Sequence, residues 1–482
     1  MSNQPLAKPI ELPIVGSTKY GRYSKISNEQ TYNMIISDGF LVPQAGYANA
    51  LTLGEDMTGR GLYVSYPKNI MISVMDNDVF RINSNLSKTL VGHLNTYSGN
   101  VSIDGNDSAE IAIADGKDIH VYNYNTGAFT KAQAYDGALY YPLDFLPNYV
   151  TFQDGYMVAG CEGTNSFRLS ALNNAKSFPS TAGYVGSFQT NKQDLVKAVV
   201  AVPGRGSLLL VIGSLTSRIY FNTGVSTFPY QMSTAINIDF GCVNSATIAK
   251  ADKIVAWIGR NEYSTPQIVY TTGEGDLNHV SIDGIDYELS QIDDFEKCYG
   301  LIYSQDGHLI YQATFTSALD DFSVCYDFNT KLLFTPSDVR MGAHIAKRGV
   351  TFNNTYYFIS HIDGKLYEWN SKYTTFDGKT IPRIRVLPTS RFPDGNPFIV
   401  KEITCLMEQG MAEGNSYLDL TLSKDGGETF GNAFRHDLNT IGNRMNKICF
   451  ENLGFMNEVT PQFRWWSQGR VVIGNGIMSI YR

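Results

Sequence analysis

The sequence predicts an all-β chain, a β-propeller of six or seven blades with a C-terminal β-sandwich-like domain. Three observations carry that class. Three stretches nearly repeat: Tyr122-Asn-Tyr-Asn-Thr-Gly-Ala-Phe129, Tyr326-Asp-Phe-Asn-Thr-Lys-Leu-Leu-Phe334 and Tyr367-Glu-Trp-Asn-Ser-Lys-Tyr373. In each, aromatics two apart share one face of a strand. Asn with a small polar residue then makes the turn that ends it. One turn-ended strand used three times points to repeated hairpin units. Short apolar strands also recur through the middle of the chain, with Gly, Asn and Asp between them. Finally, 30 Tyr and 26 Phe against 4 Trp, with 44 Gly, is a strand-and-turn composition.

Taken in order, residues 1–45 carry Pro5, Pro9, Pro13 and Pro43 with little periodicity and read as an extended N-terminal arm. Residues 46–385 read as the propeller. Strands are predicted at 61–65, 69–75, 78–82, 110–114, 118–122, 207–212, 218–221, 253–258, 267–270, 308–311 and 355–360. At roughly 45 to 55 residues per four-stranded blade this length holds six or seven blades. Asp306-Gly307 and Asp363-Gly364 are the hairpin dipeptides expected between blade strands. Helix is predicted over 286–299, where Leu289, Ile292 and Phe295 have helical spacing and Gly300 stops it, and over 169–175. Pro382, Pro388, Pro393 and Pro397 mark a boundary. Beyond it, 399–406, 417–422, 445–450 and 462–466 alternate as sandwich strands, so 386–482 reads as a separate β domain.

The totals bound function. Hydrophobic residues make up 43%, ample for a core. Net charge is −8, so there is no global electrostatic footprint for nucleic acid, although a weakly acidic wall lets a duplex slide past. Cys161, Cys242, Cys298, Cys325, Cys405 and Cys449 are too dispersed for a zinc knuckle or a disulfide scaffold and read as buried free thiols. The start has no basic stretch leading into an apolar run, so no signal peptide is expected. No apolar window is long enough for a membrane-spanning helix.

The sharpest local motif is Ser423-Lys-Asp425-Gly-Gly427-Glu-Thr429-Phe430. It resembles the Asp-box, with Phe in place of Trp. The Asp carboxylate can accept amide N–H bonds across a hairpin turn, Gly takes the conformation that a side chain resists, and the aromatic tucks beneath. A structural turn is the expected role. Sialidase propellers carry several such boxes, but their chemistry also needs arginines gripping a carboxylate, a Tyr nucleophile and an acid. Arg383 and Arg385 are close in sequence, yet no spacing singles out such a set. Asp293-Asp294 and Asp320-Asp321 read as caps or solvated surface. The seven His lie at no metal-binding spacing, no Gly-x-Ser-x-Gly elbow occurs, and Phe376-Asp-Gly-Lys-Thr380 reads as a hairpin turn. No catalytic residues, cofactor or metal ligands are predicted, and the chain is not expected to be an enzyme.

The order of several short pieces resembles the packaged-DNA stabilisation or tail-hub (nozzle-type) proteins of short-tailed bacteriophages. They are Tyr32-Asn33-Met34, Val42-Pro43-Gln-Ala-Gly46, Gly59-Arg60-Gly61, Asn77-Asp-Val-Phe80-Arg-Ile82, Ile212-Gly213-Ser214-Leu-Thr216 with Tyr220 and Thr223-Gly224, Gly241-Cys242, Ile254-Val-Ala-Trp257-Ile-Gly259, Ile268-Val-Tyr270 and the turn near Asp425. Pro43 and Gly46 stand apart where the family has them adjacent. The resemblance implies a propeller-bearing virion subunit, made and assembled in the host cytoplasm. Its copies would form a hexameric ring below the portal or adaptor, retain packaged DNA, give double-stranded DNA non-specific passage during ejection, and anchor tail fibres, spikes or needle proteins. The alternative expectation is a sialidase-like or lectin-like glycan-binding propeller.

Overall fold

The computed structural model describes residues 8–20, 29–190, 192–280, 282–408, 415–438, 445–467 and 469–481. Its middle holds seven antiparallel sheets, each built on four strands and each a blade. Blade 1 is Gly59–Ser65, Ile70–Met75, Asp78–Asn83 and Lys88–His93. Blades 2 to 6 follow in sequence, with first strands Ser102–Gly105, Pro147–Gln153, Val196–Ala201, Ala249–Ala251 and Cys298–Gln305. Blade 7 takes Ala346–Phe352, Thr355–Ser360 and Lys365–Asn370 from late in the chain and Gly46–Thr52 from early in it. The first strand of blade 7 lies against that of blade 1, which closes the ring.

The second strand of each blade explains the apolar runs in the sequence. Ile70–Met75 and Glu110–Ala114 are buried at every residue. Such a strand has a neighbouring blade on both faces, so both faces must be apolar. Ile70, Ile72 and Val74 pack toward Ile111 and Ile113 of blade 2, while Met71 and Met75 pack toward Phe358's neighbours Ile359 and Leu366 in blade 7. Every gap between adjacent blades holds one such cluster of its own.

All three near-repeats lie at the end of a third strand, in blades 2, 6 and 7. In the first two the turns superpose in their bonding. Asn123 and Asp327 accept, through side-chain Oδ1, the amides of Asn125 (3.0 Å) and Asn329 (2.9 Å). Gly127 and Lys331 are both left-handed (φ 75° and 60°) and donate to the carbonyls of Asn123 and Asp327. In blade 7 the fourth strand comes from the other end of the chain, and Trp369 Nε1 donates to Ala45 O at 3.0 Å to hold it there.

Turn chemistry follows the sequence in part. Asp306-Gly307 is a two-residue turn with both residues left-handed (φ 49° and 86°), repeated by Asp154-Gly155 and Asn353-Asn354. Asp363-Gly364 differs, because four residues separate Thr355–Ser360 from Lys365–Asn370. Gly364 O accepts Leu53 N instead (2.8 Å), and a Cβ there would meet Gly54 O at 2.3 Å. The predicted helix is also displaced. It runs Asp283–Ser290, Asp294 caps a separate 3-10 turn Phe295–Lys297, and Cys298 already begins a strand. Leu289 and Ile292 are buried as their spacing implied, but the chain must be extended by Cys298 to supply the inner strand of blade 6. Residues 169–175 hold a strand end and turns, with Phe167 and Leu169 packed between blades 3 and 4.

Gln133–Tyr135, Tyr140–Pro142 and Ser177–Pro179 form a small three-stranded sheet, Thr375–Phe376 and Lys379–Thr380 extend the blade 7 sheet, and the other strands make a sandwich of two sheets. One orders Met34–Ser37, Phe40–Pro43, Val472–Tyr481, Phe398–Glu408 and Met445–Met456, with Lys8–Leu12 paired to Val472–Tyr481. The other orders Gln30–Tyr32, Arg383–Val386, Glu458–Trp466, Tyr417–Ser423 and Phe434–Asp437. The described residues of the segment read as an extended arm, 8–20 and 29–45, therefore supply strands to both sheets of this C-terminal unit. Arg383–Val386 belongs to it as well. A single apolar cluster, including Ile403, Leu418, Phe463 and Trp465, fills its centre.

His344, fully buried, stacks on Trp369 at 4.9 Å, and its Nδ1 accepts Ala346 N–H at 3.3 Å. Burial pushes its pKa from 6.5 down to about 3, so the ring folds neutral. The unfolded chain then binds more protons below pH 6.5, and stability must fall as pH drops from 6.5 toward about 3. Replacing His344 by Phe should flatten that part of the stability–pH curve by up to about 4 kcal/mol, read from denaturant midpoints across the window.

Candidate functional site: the propeller axis and the joint to the sandwich

The axis is where propellers usually present a site, and here it is filled. Arg348, on the first strand of blade 7, donates to Gly300 O of blade 6 (2.9 Å), Ala246 O before blade 5 (2.8 Å) and Asn100 Oδ1 before blade 2 (2.8 Å). One guanidinium thus ties three blades across the centre, using its fixed fork of donors. Lys250 reaches Asp104 at 3.7 Å, and Asp104 also accepts Thr151 Oγ1 and Phe152 N. What remains is a cavity of about 230 Å³ lined by Tyr63, Tyr149, Lys250 and Arg348 among others.

Arg60 does the same work between blades 1 and 2. It is 1% exposed and donates to the carbonyls of Asp76, Thr96, Ser98 and Gly99 and to Thr96 Oγ1, at 2.6–3.1 Å. At the entry to blade 4, within that blade, the sign is reversed. Asp194 accepts the amides of Ser214, Leu215 and Thr216 and the hydroxyls of Ser214 and Thr216. These charged groups are bonded chiefly to the protein's own backbone. Sequence reading did not single out Arg348 or Asp194. Ser214 and Thr216, which bond Asp194, and Arg60 did stand in the stretches that carry the family resemblance.

The joint between propeller and sandwich is polar and saturated. Asn33, buried and left-handed (φ 56°), donates to Ser337 Oγ and Pro382 O at 2.8 Å and accepts Ser337 N at 2.8 Å. Gln305 at the end of a blade 6 strand donates to Pro43 O and accepts Ala45 N. Thr18, Thr31 and Thr335 interlock beside it. The apolar cluster between blades 6 and 7 runs on into Ile35, Val42 and Val472 of the sandwich. The two units therefore share a core as well as hydrogen bonds.

Arg383 and Arg385 are 1% and 0% exposed. Arg385 pairs with Glu29 at 2.8 Å and donates to the carbonyls of Pro13, Ile14 and Ser17, and Arg383 donates to Ser467 O at 3.1 Å. Arg385 bolts the N-terminal segment into the sandwich, Arg383 ties it to Ser467 and Thr374, and both are buried away from any carboxylate a sialidase-like site would grip.

The Asp-box-like residues come together. Ser423 Oγ donates to Asp425 Oδ1 (2.6 Å), Thr429 N donates to the same oxygen (2.9 Å) and Thr429 Oγ1 to Oδ2 (2.5 Å). Gly427, at φ 97°, donates its amide to Ser423 Oγ at 2.8 Å, and Phe430 is half-buried where the turn rejoins the sheet. The hydroxyls of Ser423 and Thr429 hold the Asp425 carboxyl well below the usual carboxylate range. The turn joins Tyr417–Ser423 to Phe434–Asp437. Among the described residues, Glu402, Cys449 and Glu451 form one group compact enough to hold a metal. Desolvation and the two carboxylates raise the Cys449 thiol pKa, and Glu402 Oε1 already accepts Ser479 Oγ, so the set is a poor ligand shell. Five of the six cysteines are buried and all are free.

Replacing Arg348 by Ala should strand three acceptors and cost about 1–3 kcal/mol for each left unpaired. A Lys there should recover only part, since a point ammonium cannot span all three; chemical denaturation of both variants checks this. Asp425→Ala should loosen only its own turn, read as faster amide exchange at Gly427 and Thr429 with the main unfolding transition nearly in place.

Comparisons with known proteins follow this geometry. No curated protein matches the sequence. Among solved structures, the streptogramin B lyase is similar at 12% identity over 67% of this chain and 96% of its own, with a TM-score of 0.43. The computationally designed Ika8 protein is similar at 12% identity over 74% and 98%, TM-score 0.38, and BamB from Moraxella catarrhalis at 10% over 76% and 97%, TM-score 0.39. A family model described as Bacteriophage P22 Gp10, beta-propeller, matches residues 28–329. With well over half its length so matched, and with seven blades closed around an occupied axis, the chain belongs to that phage stabilisation family and is a tail-associated β-propeller protein of a bacteriophage.

Proposed function

We propose that the chain is a virion subunit whose copies form a hexameric ring, the hub of a short tail, below the portal or its adaptor. In that role it retains the packaged genome, forms the passage for DNA during ejection and anchors fibres, spikes or needle proteins. The observation that carries this reading is the occupied axis. Arg348, bonded across the centre to Ala246, Gly300 and Asn100, leaves no bore for a duplex whose major groove alone is about 12 Å wide. Any DNA path must then run between copies, which favours a ring over a threaded propeller.

Charge supports the same reading. A subunit of net charge −8 presents phosphates with a weakly repulsive wall, which suits retention and sliding better than binding. Rigidity supports it too, since a closed seven-blade ring sharing its core with a sandwich is a stiff element on which other parts can be mounted.

Electron microscopy of purified particles tests the proposal. The expected outcome is sixfold density for this chain between the portal and the distal tail, around a lumen that admits a duplex. A single copy per particle, or a lumen too narrow for DNA, would overturn it.

A further inference from the structure

One face of the sandwich breaks the alternation that a solvent-facing sheet should show. On Phe398–Glu408, the residues Phe398, Val400, Ile403, Cys405 and Met407 point into the core. The opposite side carries Ile399 and Leu406, at 45% and 42% exposure. Register adds to it: Phe455 (61% exposed) lies opposite Ile399, and Ile477 (47% exposed) lies opposite Thr404. Met445, opposite Glu408, extends the patch. These apolar side chains flank the Glu402–Glu451 pair, Ile399 and Phe455 on one side of it and Leu406, Ile477 and Met445 on the other.

The charges on this face are unsettled. Glu402 and Glu451 stand directly opposite one another, an unfavourable like-charged pair, and neither has a cation within salt-bridge distance among the described residues. Lys447 projects from the same face one step along the edge strand, also without a carboxylate partner there. The strand that carries Lys447 and Glu451, Met445–Met456, is the edge of its sheet and pairs on one side only among the described residues.

We infer that two free copies of the chain cover this face on each other. A twofold arrangement is self-complementary: the apolar side chains meet, and Lys447 of each copy can approach the acidic pair of the other. The pairing is a property of the free chain and does not depend on the ring proposed above. It also shields an exposed apolar patch beside an open strand edge, a combination that otherwise invites aggregation.

Cys449 is a built-in reporter. It lies opposite Thr404 inside the patch and is the one cysteine that is not buried. The test is light scattering of the purified full-length chain together with maleimide labelling of Cys449, for the wild type and for an Ile399→Asp/Phe455→Lys variant, whose new charges are opposite in sign across the strand pair. Both substituted side chains point outward, so the variant should keep the wild-type circular dichroism and melting midpoint. Expected is a wild-type mass of two chains with slow Cys449 labelling, and a variant mass of one chain with fast labelling. A monomeric wild type, a variant that still pairs, or equal labelling rates would overturn the inference. None of these outcomes bears on the ring, which is judged on the particle.

Discussion

Packing between neighbouring blades is the constraint on which everything else rests. Each blade is a small four-stranded sheet that would be marginal alone, because a single sheet cannot bury both faces. Set edge-on around an axis, each covers its two neighbours, and side chains such as Ile72, Val74, Val211 and Ile258 become fully buried. Each such side chain contributes about 1.5–3 kcal/mol relative to exposure, so the seven inter-blade clusters supply most of the favourable term. That gain exists only if the circle is complete. Gly46–Thr52 completes it by pairing with Lys365–Asn370, and the loop thereby closed is long, but closure entropy grows only logarithmically with length.

The same closing segment decides how the sandwich is mounted. The chain passes from the sandwich strands Met34–Ser37 and Phe40–Pro43 directly into the closing strand. Asn33, Gln305 and Trp369 each tie that passage to a different part of the propeller. Any force on the sandwich is therefore transmitted to the blade that locks the ring.

The axis illustrates how charged residues can be abundant at a propeller's centre without making a site. Arg348, Arg60 and Asp194 are each surrounded by backbone groups that would otherwise be unpaired. Arg348 spends three of its five N–H donors on Ala246 O, Gly300 O and Asn100 Oδ1, and Arg60 spends its donors on four carbonyls and a hydroxyl, so these residues act first as bolts. The same holds for Arg385 in the sandwich, whose donors are divided among Glu29 and several carbonyls.

The chain's local grammar was readable without coordinates. Turn-ended strands such as Tyr326-Asp-Phe-Asn-Thr-Lys, doubly buried runs such as Met71-Ile-Ser-Val and the turn at Asp425 depend on neighbours within a few positions, and period and turn chemistry act at that range. The family resemblance drew on the same short pieces. Tertiary structure alone decided three things. It ended the helix at Ser290, because blade 6 needs an extended strand from Cys298. It drew the Pro-rich N-terminal residues into both sheets of the sandwich, through pairings such as Lys8 with Ile480. It also spent the axial Arg348 on Ala246, Gly300 and Asn100 of other blades. Each of these outcomes turns on a partner hundreds of positions distant or on a blade not yet formed, and neither periodicity nor composition carries that information.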